Sequence, residues 1–540
     1  MKWRYALIGL LLACVSAPGA LAQRGVRDPL GRSLLTTRRM IEQGQLEEAI
    51  TMLEAMLVDH PTDPRLILTL GEAYTRAGSH ADAIELYRAQ IERVGLANSE
   101  AWLRLVDACR QDGRGEEAME TLLEAIRRRP VWRGRLLDQF ELVVTDSATS
   151  VEGYATLRQH ATASDAPAIW RDVLAHVQVL TGHYEAALAL LTRLDRDERA
   201  GGRRIFQLAQ TLARRGEARF ALAAFDSVLA QSPDPGLAEE SWFEKAGLLV
   251  NEGRNVEAAA AYRTQFTTYP QGPLALRGRL KHAALLKDTM RDIPAAREAY
   301  TAILEMTRRE AAPKSLRTIR DEAMLALGEC ALLTGDFAEA DTVFAQLEAT
   351  ALRARTQEHA AYERAEILFY QGEFVAAEGA YFELTDRYPA GHWVNDALSR
   401  VLLLGEFGTR DPQALIPYAQ IQYQRRIGGL ERALALCREV LADTTQVLMR
   451  AHVRADEIRT AGDLGRWNEA EQALARLLEE DPGSRVCPAV LFWMGERAIG
   501  ERAARSQECY EQVILRYPDS LPARRARARL AELRARWEQS

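Results

Sequence analysis

An all-α fold, a right-handed α-solenoid of helix-turn-helix repeats, is predicted by three observations. The segment 64–130 aligns on itself at an offset of 35 residues, which places Gly78 over Gly113 and Ala83 over Ala118; a fixed period of this size is typical of helical repeat arrays. Aromatic residues make up only 7% of the chain, and the β-branched runs expected of strands are scarce. Finally, 540 residues exceed what one compact core holds, a limit that an array of about a dozen hairpins avoids because each repeat contacts only its neighbours.

In the repeat unit that begins at Ser99, the residue type at each characteristic position has a physical reason. Its positions 4, 7, 11, 15, 20, 24, 27 and 32 are held, in order, by Trp102, Leu105, Cys109, Gly113, Ala118, Leu122, Ala125 and Pro130. Positions 4, 7 and 11 share one face of a first helix, and the small residue at 20 lets a second helix bury that face. Gly at 15 can take the positive φ that ends the first helix, and Pro at 32 cannot continue the second. In these features the chain resembles the tetratricopeptide repeat family.

The resemblance implies a binding activity in a concave groove lined by the first helices. In the family, positions 2, 5, 9, 12 and 13 face that groove. The residues that this implies for a partner-binding groove are Arg65, Glu72, Phe206, Arg214, Phe243, Tyr362, Glu366, Phe369 and Tyr370. Aromatic side chains exposed in a groove are good anchors for an extended peptide or a partner helix. The alternative, that each of them packs against the adjacent repeat, stays open, and the set Tyr362, Phe369 and Tyr370 argues most for a groove.

The period is clear in some stretches and lost in others, which predicts the domain organisation. The predicted segments are a signal peptide at 1–22, a linker at 23–32, an N-terminal repeat segment at 33–130, an irregular helical joint at 131–165, a central repeat segment at 166–390, a C-terminal repeat segment at 391–520 and a capping helix at 521–540. Register is obscure from 391 to about 429 as well. A polar loop, Asp195 to Arg204, separates the fourth and fifth clear repeats.

The first 22 residues have the layout of a secretory signal peptide. Lys2 and Arg4 form a positive start, Ala6 to Cys14 is apolar, and Ala20-Leu21-Ala22 offers small residues for cleavage after Ala22. This predicts export to the periplasm. The competing interpretation is an outer-membrane lipoprotein lipidated at Cys14, because Leu11-Leu12-Ala13-Cys14 loosely resembles a lipobox.

The net charge limits the class of partner, and the positions of the cysteines indicate whether disulfides form. Removing residues 1–22 takes away Lys2 and Arg4 and no acidic residue, which changes the formal charge from −7 to −9. The chain has no excess of basic residues that would indicate a nucleic-acid partner. Cys109, Cys330 and Cys437 occupy positions that favour a small apolar side chain, so we expect buried free thiols. One disulfide between Cys487 and Cys509 stays open, because the two fall on the two helices of one repeat.

Motifs for catalysis are not found in the sequence. There is no HExxH, GxSxG or Walker A pattern and no CxxC pair, and His176 and His183 are not spaced for a shared metal. We therefore expect a non-catalytic protein with no cofactor, no metal and no small-molecule substrate. The alternative from another class is an envelope enzyme with an unrecognised site in 131–165 or 391–430.

The ends of three repeats share a short sequence that suggests a cellular location. Residues 269–272, 388–391 and 517–520 each read Tyr-Pro-x-small, which resembles junctions of bacterial envelope repeat proteins of the BamD-like and YbgF-like kinds. The resemblance covers only these junctions and the adjoining helices. It implies a periplasmic scaffold for protein or peptide partners in outer-membrane or cell-wall assembly, with outer-membrane association open. A lipoprotein subunit of an assembly or secretion machine is the alternative.

The final segment, 521–540, reads as a one-sided helix. Leu530, Leu533 and Trp537 lie on one face, and arginines lie mostly on the other, at Arg524, Arg525, Arg527, Arg529, Arg534 and Arg536. A repeat array needs such a helix to cover its exposed apolar end. An arginine-rich surface for an anionic partner such as lipid headgroups is the alternative.

Overall fold

The structure is a computed structural model that describes residues 29–94, 99–231, 233–308, 313–408, 412–443, 449–498 and 503–537. The predicted signal peptide, its cleavage site and Cys14 lie outside the described residues. Residues 29–32, predicted to end a linker, already belong to the first helix. No described helix is both long and apolar enough to cross a bilayer.

Two compact units divide the chain, and each is described by itself. Unit 1 is Met1–Ser241 and unit 2 is Trp242–Ser540. The helices that begin in unit 1 are α1 (Pro29–Glu42), α2 (Leu46–Asp59), α3 (Pro64–Arg76), α4 (His80–Val94), α5 (Ser99–Gln111), α6 (Gly115–Arg128), α7 (Arg133–Thr145), α8 (Ser150–Thr162), α9 (Ala168–Leu180), α10 (Tyr184–Asp197), α11 (Arg203–Arg214), α12 (Ala218–Ala230) and α13 (Pro235–Asn251), which contains the boundary. A short 3-10 helix, Pro130–Trp132, precedes α7.

Unit 2 continues in the same way. Its helices are α14 (Asn255–Thr268), α15 (Ala275–Asp288), α16 (Ile293–Met306), α17 (Lys314–Leu333), α18 (Phe337–Thr350), α19 (Ala354–Gln371), α20 (Phe374–Arg387), α21 (Val394–Phe407), α22 (Pro412–Arg426), α23 (Leu430–Ala442), α24 (Arg450–Asp463), α25 (Trp467–Glu480), α26 (Cys487–Arg497), α27 (Ala503–Arg516) and α28 (Leu521–Trp537). No strand occurs among the described residues. Consecutive helices pack against one another within each unit, so the predicted all-α solenoid class is confirmed.

The predicted reasons for the repeat are visible in the backbone and the core. Gly113 has a φ of 76°, the left-handed conformation that ends a first helix and that glycine adopts without steric cost. Alanines at position 20 are fully buried, as the prediction requires; they are Ala49, Ala83, Ala118, Ala187, Ala221, Ala258, Ala296, Ala340, Ala377, Ala433 and Ala470. Small side chains on the second helices therefore do allow close nesting against the first.

The segment predicted as an irregular joint, 131–165, forms two regular helices, α7 and α8. Its period is lost because α8 packs directly against α6. A Cβ on Gly115 would lie 2.5 Å from the backbone oxygen of Thr149, and Gly153 in α8 is likewise crowded by Val143. Two glycines thus permit a backbone approach that the ordinary repeat does not use.

The obscure register from 391 to 429 has a different cause. Both α21 and α22 are regular helices, but α22 packs against α19 and α23, and its contact with α21 is slight. Helix α21 packs mainly against α20. It is therefore an additional helix between two hairpins, and its insertion shifts the repeat register.

All five cysteines among the described residues are buried free thiols. This confirms the expectation for Cys109, Cys330 and Cys437, and it resolves the open disulfide, because Cys487 and Cys509 are also free and buried. Burial raises the pKa of Cys509 to about 11, so its reactive thiolate is scarce at neutral pH.

Candidate functional site

The predicted groove residues divide into core residues and surface residues. Phe206 and Phe369 are buried, and their predicted placement in an open groove is corrected. The ring of Phe206 meets that of Phe225 edge-on at 5.9 Å. Phe369 lies fully in the core of unit 2, with its ring 5.7 Å from that of Phe374. A large apolar side chain at these positions gains more from the neighbouring helix than from exposure.

The other predicted residues outside α19 are exposed or half-buried. Arg65 is exposed and pairs with Asp63 at 2.8 Å. Glu72 pairs along its own helix with Arg76 at 2.8 Å. Half-buried Phe243 contacts the ring of Tyr262 at 5.7 Å between centroids.

Helix α19 does bring Tyr362, Glu366, Phe369 and Tyr370 together, but the chain's own helices cover them. Arg400 on α21 donates two hydrogen bonds to the Glu366 carboxylate, at 2.8 and 2.9 Å. The same guanidinium lies 4.3 Å from the centre of the Phe369 ring, a cation–π geometry. The set therefore holds the additional helix α21 in place.

Two tyrosines complete this buried network. The hydroxyl of Tyr381 donates to one oxygen of Glu366 at 2.5 Å, and that of Tyr370 donates to the other at 2.7 Å. Burial acts to raise the pKa of the Glu366 carboxyl, but Arg400 and the two hydroxyls outweigh it and lower that pKa below 4.5. The carboxylate is thus charged and fully satisfied, as a buried ion must be.

Tyr362 is held from the same side. Its ring stacks on Trp393 at 4.7 Å between centroids, and Trp393 also stacks on His359 at 4.6 Å. The next residue of α19, Glu363, accepts a hydrogen bond at 2.7 Å from Arg426 of α22. Arg400 and Trp393 were not identified from the sequence because they lie where the repeat register is lost.

An open cleft lies instead in unit 1, between α9 and α11. It has a volume of about 540 Å³ and is called the unit 1 cleft here. Its apolar lining includes Ile169, Val179 and Leu208, and its polar lining includes Asp172 and His176. Helices α9 and α11 are the first helices of successive hairpins, the helices on which the family resemblance predicts a binding groove.

Exposed lining residues of α11 connect this cleft to the sequence prediction. Gln207 is exposed and Thr211 is half-buried at its edge. Arg214, one of the predicted groove residues, is exposed one turn further and donates to the hydroxyl of Thr211 at 3.3 Å. Of the nine predicted residues, Arg214 is thus the one that lies beside the unit 1 cleft while staying exposed.

A polar loop orders the edge of the cleft. Arg204 at the start of α11 contacts Asp172 at 3.1 Å, Asp195 at 3.1 Å and Glu198 at 2.6 Å. Asp195 is fully buried and also accepts the backbone N–H of Arg204 at 3.1 Å, which caps the helix. The loop contains Arg199 at a φ of 53°, an uncommon conformation for a residue other than glycine.

The charged groups of the cleft have displaced pKa values. Burial raises the pKa of Asp172, although Arg204 and Arg133 act in the opposite direction. Burial, followed by the nearby Arg133, lowers the pKa of His176 from its ordinary value. The long polar stretch 195–204 was the one sequence signal that could have located this cleft. It was predicted as a loop, but its ends belong to α10 and α11, and only 198–202 lie between the two helices.

No group of three or more His, Cys, Asp or Glu side chains is placed to hold a metal ion in the part of the chain that the structure describes. The unit 1 cleft offers its apolar lining, the imidazole of His176 and the ion pairs around Arg204.

Comparisons with known proteins place the repeats in a family. One family model described as tetratricopeptide repeat matches residues 40–95, and a second with the same description matches 68–131, 206–273 and 283–352. No curated protein matches the sequence. Neither model distinguishes the BamD-like or YbgF-like kinds, which stay a prediction.

Three of the similar solved structures are described in turn. A tetratricopeptide repeat protein from Parabacteroides merdae is 12% identical, with 54% of this chain and 97% of that chain covered and a TM-score of 0.32. The apo form of RapI is 10% identical, with 81% and 99% covered and a TM-score of 0.37. PilW, a type IV pilus biogenesis factor, is 15% identical, with 54% and 98% covered and a TM-score of 0.24.

The family assignment depends on the matched sequence models together with the glycine turns and buried position-20 alanines of the fold. On these grounds the chain contains tetratricopeptide repeats, which the models match over residues 40–131, 206–273 and 283–352.

Proposed function

We propose that this chain is a non-catalytic tetratricopeptide repeat scaffold that binds a segment of a protein partner in the unit 1 cleft. The observation that carries the proposal is an open, partly apolar cleft on the first-helix face. Apolar lining with a charged edge is the usual anatomy of a protein interface. By contrast, helix α21 of the same chain covers the aromatic side chains of α19.

Preorganisation favours binding at this place. Arg204 is held by three carboxylates, so the cleft edge does not need to be ordered when a partner arrives. Because fewer side chains lose freedom on association, more of the contact energy remains as affinity. A volume of about 540 Å³ accommodates a few side chains of a bound segment.

The proposed setting is the periplasm, in outer-membrane or cell-wall assembly. The signal-peptide layout of residues 1–22 and the three Tyr-Pro-x-small junctions support it. The alternative is an outer-membrane lipoprotein subunit of an assembly or secretion machine. Mass spectrometry of the mature N-terminus separates the two, because cleavage after Ala22 leaves an unmodified terminus and lipidation leaves a diacylated Cys14.

An enzyme is the second candidate, and one observation favours it. Asp172 and His176 line the same cleft and both have displaced pKa values, a property that clusters at functional sites. The variant Asp172→Asn distinguishes the candidates. It would abolish an activity on cell-wall or glycan substrates if the cleft were catalytic, whereas a scaffold would show no such activity in the parent protein.

Site-specific photocrosslinking in envelope fractions tests the binding proposal. A photoreactive phenylalanine at Thr211 should capture a discrete partner, and the same residue at Val58, an exposed position on α2, should not. Adding Gln207→Trp should abolish the Thr211 adduct because the indole fills the cleft from an exposed position. Equal adducts at Thr211 and Val58, or an adduct at Thr211 that persists in the Gln207→Trp variant, would contradict the proposal.

A further inference from the structure

The C-terminal helix α28 has two faces with different properties. Ala523, Ala526 and Leu530 are buried and pack against α26 and α27, which is the capping contact predicted from the sequence. Arg524 and Arg525 are exposed and lie on the opposite side of the helix by their spacing. Capping therefore uses only one face of α28.

Two large apolar side chains accompany the outward face. Leu515 near the end of α27 is 79% exposed, and Leu521 at the start of α28 is 61% exposed. Only the turn 517–520 separates the two helices, so both leucines lie at the same end of this last hairpin. Leu521 also shares the outward face with Arg524 and Arg525, at the helical spacings i+3 and i+4.

Uncompensated positive charge surrounds these leucines. The guanidinium groups of Arg516, Arg524 and Arg525 form no ion pair or hydrogen bond with any residue that the structure describes. Arg529, in contrast, is bound by Glu496 and Glu532. Between 515 and 533 the sequence has five arginines and two acidic residues, a net charge of +3 in a chain of net charge −7. Leu515, Arg516, Leu521, Arg524 and Arg525 are together called the C-terminal basic face.

We propose that the C-terminal basic face binds the surface of an anionic lipid bilayer. Charge complementarity selects the occupant: arginines attract anionic headgroups, and exposed leucines beside them can enter the boundary between headgroups and acyl chains. A soluble acidic protein or a free phosphate would satisfy the arginines, but it would offer no apolar medium to Leu515 and Leu521. The binding is independent of the unit 1 cleft and adds a second place of attachment.

Vesicle co-sedimentation of the protein lacking residues 1–22 tests this. The protein should bind phosphatidylglycerol vesicles and not phosphatidylcholine vesicles, and binding should weaken as salt rises. Arg524→Glu with Arg525→Glu should lower the partition coefficient at least about tenfold. The matched control is Arg277→Glu with Lys281→Glu, two exposed basic residues on α15, which makes the same charge change and should leave binding unaltered.

A second variant separates a bilayer from a soluble anion. Leu515→Ser with Leu521→Ser keeps every charge and should still reduce vesicle binding several-fold. Melting temperatures of all variants should match the parent because the changed side chains are exposed. No binding to phosphatidylglycerol, equal binding to phosphatidylcholine, or full binding by either the arginine or the leucine variant would overturn the proposal.

Discussion

Single small residues set how closely the two helices of a hairpin approach. Gly328 on α17 faces the ring of Phe344 on α18, and a Cβ built on it would lie 2.5 Å from Cε1 of that ring. Gly495 has the same relation to Tyr510, at 2.6 Å. In both pairs an aromatic ring of the second helix fills the space that glycine leaves in the first.

Gly328→Ala should therefore destabilise unit 2 by about 1–3 kcal/mol, because the added methyl displaces a packed ring. Chemical denaturation measures the change in the free energy of unfolding. Gly379→Ala is the matched control: Gly379 is in helix α20 with no atom within 4 Å of its built Cβ, so alanine should stabilise by up to about 1 kcal/mol. A loss at both sites, or a neutral Gly328→Ala, would contradict this explanation.

The Glu366–Arg400 ion pair holds helix α21 against α19. Arg400→Leu should cost about 3–5 kcal/mol because it leaves a buried carboxylate unpaired. Replacing both residues with Leu should cost clearly less than the sum of the two single changes. A double-mutant cycle by denaturation measures the coupling, and additive single effects would show that the pair does not act as a unit.

The same pair gives unit 2 an acid-sensitive component. The pKa of Glu366 is lowered from 4.5 in the folded protein, so its contribution is fully present above the pKa of the unfolded chain and is lost as pH falls through the folded value. Ordinary carboxyl groups titrate between about pH 3 and pH 5. Over this pH range, the free energy of unfolding of the Glu366→Gln variant should fall less steeply than that of the parent protein. Parallel pH profiles would refute the assignment.

At the scale of elements, the sequence predicted most helices and located the two segments where the period is lost, 131–165 and 391–429, but it did not predict the packing that causes the loss. Gly113, Ala118 and their equivalents act locally, so the 34- to 35-residue spacing identifies them. The approach of α8 to α6 and the insertion of α21 depend on contacts with distant helices, which a local period does not encode. Phe369 was misplaced for the same reason, because its cover, Arg400, lies outside the recognisable repeats.

Helix α28 provides an element-scale prediction. Deleting residues 521–540 should lower the melting temperature and cause aggregation, since it exposes the apolar end of the array that Ala523, Ala526 and Leu530 cover. Leu530→Ala should have a smaller effect, of about 2 kcal/mol. Scattering and a thermal melt measure both. Unchanged stability of the deletion variant would show that α28 is not a cap.

At the scale of the whole molecule, the proposed binding surface is the unit 1 cleft, and the proposal depends on which faces of the first helices remain uncovered. In unit 1 the face between α9 and α11 is open, whereas the corresponding face of α19 in unit 2 is covered by α21 and α22. From the family resemblance the sequence predicted binding on the first helices, including α11 through Arg214, but it named no residue of α9. It could not tell an open face from a covered one, because that depends on the inserted helix α21 and on the contacts of Arg204 with Asp172, Asp195 and Glu198.

Hydrogen exchange of the full chain, with and without the partner captured at Thr211, tests the central claim most directly. Peptides from 168–180 and 203–214 should gain protection when the partner binds, and peptides from 354–371 should not change. Protection of 354–371 with no change at 168–180 and 203–214 would place the binding site on α19 and contradict the account.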